Sequence, residues 1–370
     1  MIKKTLYFLS VILLSSCLET NKDTELIYNV SKIPIDFPYI SDYGILSIDK
    51  NRDTIIMGGY NYKTHSLDLF DLSDLKTKGS LKMETQGVNE INDIQTFAIE
   101  ENQILIKNMF GIKRFSWDLQ LLHSFSLTEI TDHNNIEYIT YPKGIRLGSY
   151  SRLYINNGKD LLLPIFPSYA IQDKAKYHLG IRMDLNNGKY DFLPISYSDH
   201  FSEDIKKYGN LLFPFITQKA NKLIYNYPYS STIYIYDLTS QEINKFTPQS
   251  RLTANEAAPI SQENISLKDN LKYQINAIRF LEVNSFDDYF YRVHLQPINE
   301  GMNAQAYLMI FDKDFQIIRE FTLPSNFKSV YASCDNLLYF LIKNEDENPD
   351  EYLSLAKIDL RENIPSTFSR

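Results

Sequence analysis

Hydrophobic and polar positions alternate with a period of two along most of the chain, and the alternation breaks at intervals on Asp, Asn, Gly or Lys. Thr232–Pro248, TIYIYDLTSQEINKFTP, shows the unit: Ile233 and Ile235 oppose Tyr234 and Tyr236, a polar turn follows Asp237, and a second short strand ends on Phe246. Aligned on its aspartate, the unit recurs at Asp71, Asp118, Asp184, Asp312 and Asp359. An aspartate there accepts hydrogen bonds from amides two or three residues on and so closes the turn into the next strand. That local role, rather than an acidic ring around a pore, explains its recurrence.

Each hairpin belongs to a run of four strands. The first run reads YGILSID, DTIIMGG, SLDLFDL, GSLKM, and the fifth reads YQINAIRFLEV, YFYRVHLQP, AYLMIFD, FQIIREFTL. Four strands per unit is the count of a propeller blade, and the tightest aspartate spacing, 47 residues, fits a propeller repeat of about 40–50. The pattern predicts an all-β, six-bladed β-propeller, with seven blades as the alternative. The sixth unit has three strands of its own, SVYASC, LLYFLIK and YLSLAKIDL, so the ring needs one more. Leu26–Ile33, a spare strand ahead of the first unit, is expected to complete the last blade.

Three stretches depart from the repeat. Pro167–Tyr177 carries AIQDKAKY, a candidate helical turn. SEDIKKYG has Ser202 as a candidate N-cap and Gly209 as a stop. Thr247–Leu271, rich in Asn, Glu, Gln, Ser and Ala, reads as a long loop with a short helix.

Composition fits strands: hydrophobic residues make up 44% of the 370, and 27 Tyr and 22 Phe accompany a single Trp. The start of the chain is a leader. Lys3 and Lys4 precede an apolar Leu6–Leu14 run, too short for the roughly twenty residues of a membrane span, and Leu14-Ser-Ser-Cys17 resembles the lipobox of bacterial lipoproteins. That resemblance implies a signal peptide over residues 1–16, a diacylated Cys17 opening a tether over 17–25, and one propeller domain over 26–370. It implies membrane association through the lipid alone. No Asp follows Cys17, which favours the outer membrane, periplasmic or surface-facing. The full chain carries 38 Lys and Arg against 46 Asp and Glu, and loss of the leader removes Lys3 and Lys4, so nucleic acid is not an expected partner. After lipidation Cys334 is the remaining thiol, read as a small buried hydrophobe.

No HExxH, paired CxxC, P-loop, G-x-S-x-G or glycine-rich dinucleotide turn occurs, and the six histidines stand apart. No metal ligands, cofactor or catalytic residues are therefore assigned. Binding candidates come from the aromatic clusters Tyr225–Tyr236 and Phe286–His294. Tyr227 and Tyr229 flank Pro228 in a connecting loop, and their side chains are expected to face solvent. In an alternating strand Arg292 shares a face with Phe290 and His294 and needs a partner if buried; Tyr291, in the same strand, is the remaining binding candidate.

FDDYFYRVHLQP, AYLMIFDKDFQIIREFTLP and LLYFLIKNEDENPDEYLSLAKIDL resemble the bacterial lipoproteins grouped as domain of unknown function 4221, which carry a Tyr-Tyr-Arg strand and then an ILDKDF hairpin after a lipoprotein leader. Tyr289, Tyr291 and Arg292 fall in the Tyr-Arg strand, with Phe290 in place of a tyrosine. The resemblance implies a propeller-like lipoprotein and adds no catalytic residue. The expected function is a lipid-anchored envelope module that binds or scaffolds a protein or glycan partner. The alternatives are a propeller hydrolase or lyase with its site at the channel mouth, and a structural subunit of an outer-membrane complex.

Overall fold

In the computed structural model, residues 25–37, 43–51, 54–87, 89–92, 94–100, 103–108, 110–140, 153–156, 158–167, 177–197, 203–260, 266–297, 304–343 and 351–365 are described. The leader, Cys17, the tether to residue 24, Ser202 and nearly all of AIQDKAKY lie outside them.

Period-2 segments become antiparallel meanders, as alternation on a half-buried surface requires. The first sheet is Leu46–Asn51, Thr54–Asn61, Ser66–Asp71 and Lys76–Lys82, and the second is Thr96–Glu100, Gln103–Lys107, Gly111–Ser116 and Leu121–Ser126. The third is Tyr154–Asn156, Asp160–Pro164, Gly180–Asp184 and Tyr190–Phe192; the fourth is Phe215–Lys219, Lys222–Asn226, Ile233–Asp237 and Ile243–Phe246. The fifth is Arg279–Phe286, Tyr289–Pro297, Ala304–Phe311 and Ile317–Thr322. Phe327–Cys334, Leu337–Ile342 and Tyr352–Asp359 form the last, and Asn29–Pro34 pairs with Tyr352–Asp359 as its outer strand. The N-terminal segment completes the last sheet as its fourth strand, as expected, though this closing strand starts at Asn29 rather than Leu26. Pro34, which lacks an amide donor, stands at the end of an edge strand where that loss costs nothing.

Each sheet shares a buried apolar cluster with the next. Leu69 and Phe97 meet between the first and second, Tyr225 and Leu193 between third and fourth, Val283 and Ile235 between fourth and fifth, and Tyr331 and Tyr291 between fifth and last. The second and third share Leu105 and Met183, and Phe70 with Leu341 joins the first sheet to the last. The arrangement is propeller-like and all-β. A small sheet of Ile130–Thr131, Glu137–Ile139 and Phe166–Pro167, which the repeat does not predict, fills the space beside the third sheet.

The recurring aspartates do what the turn chemistry dictates. Asp71 accepts from the amides of Ser73 and Asp74, Asp237 from Thr239 and Ser240, Asp312 from Asp314 and Gln316, and Asp184 from Asn186, all at 2.7–3.2 Å. Leu75, Gln241 and Gly188, four residues beyond their aspartates, adopt positive φ and turn the chain back. Asp118 differs, accepting from the Ser116 hydroxyl.

The excursion after the fourth sheet holds a helix, Leu267–Asn276, capped by the Ser266 hydroxyl accepting from the Asp269 amide. It extends further than expected and takes in Tyr273–Asn276, which the alternation assigns to a strand. Glu203–Leu212 is a 3-10 helix broken at Gly209, where φ is 51°. A side chain at Gly209 would meet Asn270 Oδ1 at 2.5 Å, so the glycine both breaks the helix and lets Leu267–Asn276 approach.

Candidate functional site

The first strand of each four-stranded sheet faces a common channel. Residues two apart on these strands project to the same side, so Ser47 and Asp49, Thr96 and Glu100, Phe215 and Thr217, Glu282 and Asn284, together with Tyr154 and Ser333, line a cavity of about 320 Å³. A second cavity of about 160 Å³ lies against it, and Tyr154, Thr217, Asn284 and Ser333 border both, forming a neck between them. Gln218, Tyr291 and Asp335 line the second cavity.

Polar groups on these strands also tie neighbouring sheets together. Ile99 N donates to Ser47 Oγ at 3.0 Å, Thr217 Oγ1 donates to the Val283 carbonyl at 2.9 Å, and the Tyr331 hydroxyl donates to Glu282 Oε1 at 3.1 Å. The Tyr154 hydroxyl donates to the Gln218 carbonyl, and Lys50 bonds Asp335 at 2.8 Å. Buried backbone and side-chain groups need such partners, and here the partners sit on the adjacent sheet. Lys107, at the cavity wall, donates to Gln95 Oε1, and burial pushes its ammonium down to about 7. Among the described residues no group of three His, Cys, Asp or Glu is placed to hold a metal ion. The neck thus offers hydroxyl and amide groups and an aromatic ring, a set suited to hydrogen-bonded recognition.

Of the residues singled out in sequence, Tyr291 borders the smaller cavity; the others lie elsewhere, and most are core. Tyr227 is 1% exposed and packs among Tyr197, Tyr229 and Tyr234, correcting the expectation of a solvent-facing side chain. Its turn does lie outside the strands, but the excursion folds back over it. Ala257 N donates to the Tyr229 carbonyl at 2.7 Å, Ser231 N to the Asn255 carbonyl at 2.9 Å, and Phe280 N to the Pro228 carbonyl at 2.9 Å. Burial raises the Tyr227 hydroxyl well above the ordinary tyrosine value. Tyr229 is half-buried and stacks on Tyr208 with ring centroids 4.1 Å apart.

Arg292 and His294 are both 0% exposed, so neither meets a partner from solvent. Arg292 shares its face with Phe290 and His294, as the alternation requires, and finds the partner it needs: Nη1 donates to the Ser231 carbonyl at 2.8 Å. Its guanidinium lies 4.7 Å from the Phe280 centroid and 5.7 Å from that of Phe311, and burial lowers it to about 9. Tyr291 is 1% exposed and belongs to the apolar cluster between the fifth and last sheets, its edge bordering the smaller cavity. Cys17 lies outside the described residues. Among them no helix is long and apolar enough to cross a membrane.

The channel residues were missed because each is an ordinary polar residue in an ordinary strand. Their signal is positional: Ser, Thr, Asp, Glu or Asn alternating on the first strand of successive units. A single strand does not reveal that, but the aligned repeat does.

The family model described as "Domain of unknown function (DUF4221)" matches residues 12–322. The crystal structure of a member of that family from Bacteroides vulgatus superposes with a TM-score of 0.69 at 14% identity, covering 90% of this chain and 97% of that one. A protein from Bacteroides fragilis described as exported superposes with a TM-score of 0.52 at 13% identity, covering 92% and 97%. Identities this low speak to the fold alone. A search of curated proteins finds no match.

Proposed function

The chain belongs to the DUF4221 family, and we propose that it is a lipid-anchored, six-bladed β-propeller of the cell envelope, residues 26–370 forming the propeller, that binds or scaffolds a protein or glycan partner. Among the described residues, six four-stranded sheets, each sharing an apolar cluster with the next and the last with the first, support the blade count. The lipobox at Cys17 and the export ascribed to the Bacteroides fragilis protein support an outer-membrane location. The observation that carries the binding reading is the neck itself, where Tyr154, Thr217, Asn284 and Ser333 from four sheets converge on one polar constriction. A ligand placed there is read by hydrogen bonds and one aromatic face.

The test uses the soluble form beginning at Leu18 in glycan-array and envelope pull-down experiments, beside an Asn284→Trp variant that fills the neck. The expected outcome is capture by the wild type and its loss in the variant, at a melting temperature close to wild type. Equal capture by a folded variant removes the channel as the site. Wild-type turnover of an ester or glycoside series, abolished by the same plug, would instead make the protein an enzyme.

A further inference from the structure

The closing strand Asn29–Pro34 carries two different faces. Ile33 is 0% exposed and packs with Phe70 and Leu355 against the first sheet, where the Thr77 hydroxyl also donates to the Pro34 carbonyl. The opposite face carries Tyr28, just ahead of the strand, then Val30, Lys32 and Pro34, by the period of two. Register places Tyr352 beside Pro34 and Ala356 beside Val30, and directly paired residues share a face. Ala356 is covered by the fifth sheet, but the outer strand projects past that cover. Val30 is 55% exposed, Tyr28 38% and Tyr352 37%, with Lys32 and Pro34 exposed between them. A groove of about 1420 Å³ opens beside Tyr28, between the N-terminal segment and Ile317–Thr322, so the neighbouring sheet does not close over it.

The chain itself indicates what faces this strip. From Cys17 to Glu25 an extended chain reaches at most about 28 Å, and as a flexible coil its ends lie roughly 16 Å apart. A folded body of this length has a radius of gyration of about 20 Å. A lipid on Cys17 therefore cannot reach round the molecule, and the side turned to the bilayer is the side where Glu25 emerges. That side presents two tyrosines, a valine, a proline and a lysine. Amphipathic aromatic rings at headgroup level and a lysine reaching toward water are the side chains a membrane interface favours.

We propose that the exposed face of the closing strand, Tyr28, Val30, Lys32 and Pro34 with Tyr352, is a membrane-docking strip that seats the propeller against the bilayer. The inference rests on the reading of Cys17 as the lipid anchor. Docking fixes the orientation of the body, because a tether alone leaves it free to tumble within the reach of its lipid. The mature chain is acidic, so the strip suits a zwitterionic surface rather than an anionic one.

The experiment supplies the anchor independently. The soluble form beginning at Leu18 receives an N-terminal hexahistidine and is held on phosphatidylcholine–phosphatidylethanolamine vesicles bearing a nickel-chelating lipid. In a Cys334→Ser background, an environment-sensitive fluorophore is placed at Val30→Cys or, as control, at Leu122→Cys, which is exposed on the second sheet. The expected result is a blue shift and quenching by brominated acyl chains at position 30, with neither at position 122. Equal emission at both positions on vesicles overturns the proposal. So does a blue shift at position 30 that appears without vesicles and grows with protein concentration, since the strip then meets a second copy of the chain. Lipidation is tested separately, by fractionating cells that express Cys17→Ala; its failure leaves the vesicle result unaffected.

Discussion

Asn363 grips the backbone of Ile27 on both sides. The Ile27 amide donates to Asn363 Oδ1 at 2.9 Å, and Asn363 Nδ2 donates to the Ile27 carbonyl at 3.0 Å. The two residues stand 336 positions apart. Nδ2 also donates to the Asp359 carbonyl at 2.9 Å, so one amide side chain ties the chain's first described segment to the end of its last strand. The grip lies two residues ahead of Asn29 and helps to fix the register in which the closing strand enters its sheet.

Replacing Asn363 with Ala removes all three bonds and leaves the Ile27 groups and the Asp359 carbonyl without that partner. The expected cost is about 3 kcal/mol, from about 1 kcal/mol for each lost bond, read as a lowered urea midpoint. Asn363→Asp, which still accepts from the Ile27 amide but cannot donate, should fall between. Deleting Leu26–Ile33 should cost far more than deleting Glu19–Glu25 and should promote aggregation, because Tyr352–Asp359 then becomes an open edge. If Asn363→Ala melts with the wild type, closure is held elsewhere along the strand.

Tyr227 and Tyr229 should now separate in the opposite sense to surface contact residues. Tyr227→Ala opens a cavity among Tyr197, Tyr229 and Tyr234 and is expected to destabilise by roughly 3–5 kcal/mol. Tyr229→Ala forfeits chiefly one stacked ring on Tyr208, on the order of 1 kcal/mol. Denaturant curves for the two variants provide the check, and the reverse ranking would place the core of this turn on the wrong tyrosine.

The turn aspartates make a third prediction. Asp71 is nearly buried and caps the Ser73 and Asp74 amides, so Asp71→Ala should cost about 1 kcal/mol. Asp71→Asn, which keeps an accepting oxygen, should recover most of that loss. If the Asp71→Asn protein unfolds at the same urea midpoint as Asp71→Ala, charge rather than the two amide bonds holds the turn.

The blade pattern was legible because side-chain alternation and turn chemistry are local: Ile233 and Ile235, or Asp237 with its two amides, need no knowledge of the rest of the chain. The pairing of the N-terminal strand with the last sheet was legible by counting strands, although the Asn363 contact just ahead of Asn29 is one that no local pattern announces. The site was not legible. Pro228 correctly marks a turn outside the strands, but exposure of Tyr227 depends on whether another segment covers it, and Asn255–Ala257 comes from an excursion read as a loop. Arg292 and His294 draw attention as polar residues in an apolar strand, which is also how two buried side chains, each hydrogen-bonded to another segment, look in sequence. Thr217 and Asn284 draw none, because convergence on one cavity is a property of several sheets together.

His294 makes the stability of this region depend on pH. Its Nε2 lies 3.0 Å from Thr253 Oγ1, and its ring is held between Phe280 and Tyr307 at centroid distances of 5.3 and 5.0 Å. Burial, reinforced by the charge of Arg292, pushes the imidazole down to about 3. In the unfolded chain an imidazole titrates near 6.5. Between those values the unfolded chain takes up a proton that the folded protein does not, so acid favours unfolding. The contribution is fully present above about pH 6.5 and is lost progressively as pH falls towards about 3. At pH 5 the loss is about 2 kcal/mol relative to pH 8. His294→Gln cannot take up that proton, and although it should be less stable than wild type at pH 8, its deficit should shrink by about 2 kcal/mol at pH 5. Urea unfolding of both proteins at the two pH values measures the change. A deficit that stays constant means that His294 is protonated in the folded protein, and hence that the Ser250–Ala257 segment opens to water far more readily than its bonds to Glu320, Tyr229 and Ser231 imply.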